Sequence, residues 1–153
     1  MRLDGLSLRP ATAADVDAIR ELARAAFQRY VDRIGREPWP MTADYGRAVE
    51  AGQTWVAHHG ERLVGLLVLQ PAENHLLLDI VAVRPEAQGG GVGSRLLHLA
   101  EEQALALGLR QVRLYTNEAM TENLAYYPRR GYRETHGSTE AGFRRVFFAK
   151  DLR

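Results

Sequence analysis

The chain has 153 residues, enough for one folded unit with its own hydrophobic core, and its 46% hydrophobic and 25% charged residues are ordinary for a globular protein. With 20 basic and 19 acidic residues the net charge is +1, so composition gives no electrostatic case for nucleic acid or membrane partners. Cysteine is absent, which excludes disulfides, thiolate metal sites and a cysteine nucleophile. No run approaches the roughly 18 apolar residues of a membrane span. The opening MRLDGLSLRP lacks the apolar stretch of a signal peptide, so the expected location is the cytoplasm.

In chain order, LSLRPAT (Leu6 to Thr12) alternates apolar and polar residues and predicts a first strand. A helix follows, capped by Thr12 or Asp15, with Val16, Ile19, Leu22, Ala23 and Phe27 at helical spacing. After the loop IGREPWPM, a second and poorer helix is expected within Ala43 to Ala51. QTWVAHH and RLVGLLVL flank the turn HGE as an antiparallel hairpin. HLLLDIVAVR is apolar on both faces, as in a central strand, with Asp79 expected on the same face as Val81 and Val83. Leu96, Leu97, Ala100, Ala104 and Leu107 form the stripe of a long helix that Gly108 stops. RQVRLYT is a strand, TENLAYY a short helix, and GYRETHG and FRRVFFAK close the chain as antiparallel strands. The order β-α-α-β-β-β-α-β-α-β-β predicts an α/β unit spanning residues 1–153. Its twisted sheet is mixed and mostly antiparallel, flanked by about four helices.

Between the central strand and the long helix stands EAQGGGVGS, with four glycines in five positions. Glycine is costly to order, so such a cluster needs a reason. Amides at a helix start point outward, the dipole favours an anion, and missing side chains let phosphate approach. A Walker loop needs a Lys-Ser/Thr pair after its last glycine, but Ser94 and Arg95 follow Gly93. A dinucleotide fingerprint fails at Ser94 and would open the first βα unit, whereas this stretch follows several strands.

Q-x-x-G-x-G does fit, filled by Gln88, Gly91 and Gly93 after VAVRP. It resembles the acetyl-coenzyme A signature of the GCN5-related N-acetyltransferase superfamily. The likeness extends over the LRPAT start, the hairpin and the later YYPRRGY, where Tyr127, Gly131 and Tyr132 match the family's Y-x-x-x-G-F/Y element. The resemblance implies a fold and a donor, acetyl-CoA. Strand backbone at Val81, Ala82 and Val83 would pair with the pantetheine arm. The loop amides of Gln88, Gly89, Gly90, Gly91, Val92, Gly93 and Ser94 would hold the pyrophosphate.

It also implies an acid, Tyr127, a phenol near the thioester sulfur and so against the cofactor; a core tyrosine is the competing reading, and Tyr126 offers the same chemistry. Pro128 disfavours helical geometry at Tyr127, so the helix should bend or end there. The asparagine that often precedes this tyrosine by seven residues is Met120 here. The cofactor contact therefore falls to Asn123, with Asn117 nearby at the strand end. For the base, Asp79 is a carboxylate inside an apolar strand, expensive to bury unless paired or functional. Glu118 is the alternative, and a structural ion pair is the plain reading of Asp79.

Without cysteine, direct attack of a primary amine on the thioester in a ternary complex is expected, rather than an acyl-cysteine route. Small amines and peptide amines are both acceptors in such a family, and homodimers are common. Trp39 and Tyr45 are candidates for shaping the acceptor site, equally for packing the loop. His58 and His59 at the hairpin turn are too few for a metal site. Two rival readings remain: a degenerate acyl-CoA-binding sensor or scaffold without turnover, and a nucleotide-binding module.

Overall fold

In the computed structural model, which describes residues 5–153, seven strands among the described residues form one sheet. Residues 1–4 of the expected unit lie outside the described residues. The strands are β1 (Leu6–Pro10), β2 (Thr54–His59), β3 (Arg62–Pro71), β4 (Leu76–Val83), β5 (Gln111–Asn117), β6 (Arg133–Glu140) and β7 (Phe143–Asp151). The helices are α1 (Val16–Phe27), a single turn α2 (Val31–Ile34), α3 (Tyr45–Glu50), α4 (Val92–Ala106) and α5 (Thr121–Arg129). Chain order follows the sequence pattern, with α2 added. In space the order is β1-β2-β3-β4-β5-β7-β6, antiparallel throughout except between β4 and β5. This is the mixed, mostly antiparallel α/β architecture expected.

Helices cover both faces, so central strands bury side chains on each. Leu96, Leu97 and Ala100 of α4 pack with Leu67, Leu114 and Phe148 on one face. Ile19, Leu22 and Ala23 of α1 pack with Val56, Leu66 and Ile80 on the other. Each fully buried Leu or Ile here contributes about 1.5–3 kcal/mol. Leu107 departs from the predicted stripe: α4 ends at Ala106, and Leu107 is 56% exposed. The short helix likewise departs from expectation, since α5 continues one residue past Pro128. Pro128 lies in the last turn, so its missing N–H forfeits a single bond. The chain then closes through Arg130 N and Tyr132 N, both donating to Tyr127 O.

The start of α1 illustrates how local chemistry sets an element. Asp15 ends a 3-10 turn (Ala13–Asp15) that leads into α1. Its carboxylate accepts from the Thr12 amide at 2.7 Å and from both terminal nitrogens of Arg9, at 2.7 and 2.9 Å. Arg9, and then the Thr12 amide, hold the carboxyl well below the usual carboxylate range. The ionised form is thus favoured in the folded state, so its stabilisation is complete above the unfolded pKa and is lost as pH falls. Asp15→Ala should cost roughly 1–2 kcal/mol at pH 7. In urea melts that deficit should narrow progressively below about pH 4.

Candidate active site

The site begins where two neighbouring strands part. β3 accompanies β4 to its end, but β5 pairs with β4 only at Leu76, Leu77 and Leu78. Beyond Leu78 the β5 side of β4 is an open edge. Arg84 N donates to Val64 O at 2.8 Å, so by strand alternation the backbone groups of Ala82 face β3 and those of Val81 and Val83 face away. The Val83 carbonyl accepts from the Gln88 side chain at 3.0 Å, which ties the loop to the strand. Val81 keeps both backbone groups, and Val83 its N–H, directed into the cleft.

The glycines follow. Gly91 is the N-cap of α4 at φ +90°, a conformation that favours glycine, and no side chain caps the helix. The first helical bond runs from Arg95 N to Gly91 O at 3.0 Å. The amides of Val92, Gly93 and Ser94 therefore lack helical acceptors and face outward. At Gly93, an added Cβ would stand 3.3 Å from Tyr126 Oη and 3.7 Å from Val83 Cγ2, filling the space between loop and strand. A groove of about 400 Å³ results, with Val81, Gln88, Gly91, Gly93 and Ser94 along it. Gly90 and the buried Val92 side chain do not line it, leaving only their backbones for a ligand. Arg29 and Arg130 add two cations to its walls, and Arg130 lies 4.7 Å over the Tyr126 ring. No spacing rule marked either arginine, because they come from different helical ends.

A second, compact pocket of about 60 Å³ lies beside the groove, lined by Leu78–Val81, Tyr115, Asn117, Trp39, Phe143 and Arg145. Phe27, Val81, Met120, Asn123 and Tyr127 line both hollows. Tyr127 thus stands at their junction. It is also a core residue, 5% exposed, with its ring against Tyr132 and Phe148 at centroid distances of 6.1 and 5.7 Å. The two readings of this tyrosine therefore coexist. Burial pushes its phenol above the ordinary value, so it is neutral at neutral pH. Tyr126 packs edge-on to Tyr127 and lines only the groove.

Asp79 corrects an expectation. Val68 faces Ile80 while Leu69 faces Leu78, so Asp79 is the extra residue of a β-bulge. Alternation breaks there: Val81 and Val83 pack on the α4 side, whereas Asp79 meets groups of the opposite face. Tyr115 Oη donates to its Oδ1 at 2.5 Å, and Gln70 Nε2 reaches Oδ2 at 3.4 Å. Burial, and then this bond to Asp79, raise the Tyr115 phenol. The bulge turns a carboxylate into the compact pocket, next to the end of the open edge.

The remaining candidates separate cleanly. Asn123 donates to Thr116 Oγ1 at 3.0 Å and lines both hollows, while Asn117 Oδ1 accepts from Ala119 N and shapes a turn. Glu118 pairs with exposed Arg144 at 3.0 Å and lines neither hollow. Trp39 lines the compact pocket, but Tyr45 is 1% exposed and donates to the Pro40 carbonyl, holding the loop from within. His58 bonds Gly60 O across the hairpin turn. Among the described residues no three His, Asp or Glu converge on a metal position, and no helix is long and apolar enough to cross a membrane.

The family whose pattern matches residues 16–132 is the acetyltransferase (GNAT) family. A mycothiol acetyltransferase of Pseudarthrobacter chlorophenolicus is 31% identical over 140 residues, covering 84% of this chain and 43% of that protein. One from Streptomyces scabiei is 32% identical over 107 residues, 69% of this chain and 32% of that protein. The chain therefore spans less than half the length of these curated relatives. The PaiA N-acetyltransferase of Thermoplasma acidophilum, solved with coenzyme A, superposes with a TM-score of 0.83 at 18% identity, over 96% of this chain and 99% of that one. A GNAT family acetyltransferase of Elizabethkingia anophelis, solved with acetyl-CoA, gives 0.70 at 19% identity, over 97% and 99%. At such identities the superpositions speak for the fold alone.

Proposed function

The chain belongs to the acetyltransferase (GNAT) family, and from that premise we propose that residues 1–153 form one acetyl-CoA-dependent unit. It moves an acetyl group directly onto the amine of a small acceptor in a ternary complex. The observation that carries this reading is Tyr127 at the meeting point of a long groove and a compact pocket. The names of the curated relatives favour a small-molecule acceptor over a protein N-terminus.

The groove suits the donor's shape and charge. The open edge at Val81 and Val83 offers amide-type hydrogen bonds to an extended pantetheine arm. The outward amides of Val92, Gly93 and Ser94 suit the pyrophosphate, the Gln88 amide being already taken by the Pro85 carbonyl at 3.2 Å, and Arg29 and Arg130 add positive charge. Acetyl-CoA supplies an acyl group activated as a thioester. The chain supplies the rest. Asp79 accepts the proton that an ammonium must lose before attack, directly or through water. The Val81 amide, aimed into the cleft, can donate to the carbonyl oxygen as it gains charge. Tyr127, neutral beforehand, gives its proton to the departing sulfur. A carboxylate and a phenol at the two hollows favour turnover over a binding-only scaffold.

Saturation with acetyl-CoA at a hundredfold excess over Kd should stabilise the protein by about 2.7 kcal/mol, a rise of about 5–10 °C in melting temperature. A flat thermal-shift curve at millimolar ligand would sink the reading. Thiol release from acetyl-CoA across an amine panel then tests turnover itself.

A further inference from the structure

The compact pocket holds two opposite charges on one face of the sheet. Resting on the acetyltransferase reading above, we propose that its acceptor is a small amine that also carries an anionic oxygen group, and that Arg145 reads the anion. Tyr115 pairs with Phe147 and Asn117 with Arg145 across β5 and β7, so Tyr115 and Arg145 share a face. The Arg145 guanidinium lies 4.4 Å from the Tyr115 ring centroid, and the hydroxyl of that ring donates to Asp79 at 2.5 Å. Cation and carboxylate thus stand one phenol ring apart, both lining the pocket.

Arg145 is held but not spent. Its side chain is 13% exposed, and among the described residues its carboxylate partner is Glu140, at 3.3 Å through Nη1. A guanidinium has five N–H donors, so most of the fork remains available and matches a carboxylate in two-point geometry. Glu140 is itself 46% exposed, which places that pair at the rim rather than inside.

The charge pattern decides the ligand class. A simple alkylammonium would meet Asp79 favourably and Arg145 as a like charge. An amine bearing an anion puts an opposite charge against each, and its hydrocarbon body meets Trp39 and Phe143. Anchoring the anion at Arg145 leaves the amine on the Asp79 side, toward the junction at Tyr127.

The test uses matched acceptors: alanine against ethylamine, leucine against 3-methylbutylamine, phenylalanine against 2-phenylethylamine, and the aminophosphonate analogue of leucine. Binding to the CoA-saturated protein is measured by calorimetry, and kcat/KM by thiol release from acetyl-CoA. At least one anion-bearing member should exceed its bare amine tenfold or more in both readouts. Arg145→Gln should erase that preference, chiefly through KM, and Arg145→Lys should restore part of it. The acetyl-CoA melting shift should persist in both variants. Preference for either anion upholds the proposal, and the phosphonate arm tells carboxylate from phosphate-type acceptors. Three results overturn it while the melting shift stands: bare amines bound as well as their acids, no anion-bearing member bound, or a preference that survives Arg145→Gln. Loss of the melting shift in the unaltered protein would instead refute the acetyltransferase reading.

Discussion

Tyr127→Phe should lower kcat by about two orders of magnitude or more, the usual contribution of a positioned proton donor, while the Kd for acetyl-CoA stays within about twofold. Removing one hydroxyl leaves the ring in its contacts with Tyr132 and Phe148. The hydroxyl makes no hydrogen bond to another described residue, so folding stability should hardly change. The separation of kcat from Kd is the informative part, since a merely structural tyrosine would leave kcat unchanged. Tyr126→Phe is the control, because Tyr126 lines the groove alone. An unchanged kcat in Tyr127→Phe places the proton donor elsewhere.

Asp79→Asn carries the second large effect. The amide can still accept the Tyr115 hydroxyl bond, so the bulge and its aim should survive. What disappears is the capacity to take a proton. We expect kcat to fall about a hundredfold and then to climb with pH, as solvent base replaces the lost carboxylate. An unmoved pH profile of kcat excludes Asp79 as base. Tyr115→Phe separates positioning from proton transfer: the carboxylate remains, so the pH profile should keep its shape while kcat drops by less than in Asp79→Asn. Rescue of Asp79→Asn by small carboxylates such as formate would support the same assignment.

Much of the architecture was legible because its causes are local. Helical spacing at Ile19, Leu22 and Ala23 and at Leu96, Leu97 and Ala100 marks residues that are indeed buried. The turn at Gly60 and the glycines ahead of α4 announce a hairpin and an uncapped helix start through chemistry contained in a few neighbouring residues. Even the two misjudged ends, Leu107 and Pro128, lie within one turn of a correctly expected element.

The site was legible only in part. Gln88, Gly91, Gly93 and Tyr127 stand out through motif spacing, and the structure brings them to one groove. The direction of Asp79 was not legible, since a bulge arises from the register between β3 and β4, and alternation along one strand cannot reveal it. Tyr115 and Arg145 carried no signal: each sits in an ordinary strand, and their meaning comes from the pairing of β5 with β7 and the bond to a carboxylate 36 residues away.

Contacts between near neighbours set the run of strands and longer helices, the buried faces and the outward amides of the glycine loop, which is why all three can be read along the chain. Folding in three dimensions is what makes β5 leave β4 after Leu78, turns Asp79 toward Tyr115 at the bulge, and brings Arg145 to the same pocket. Those are consequences of long-range strand pairing, where one residue of register chooses the face on which a charge appears.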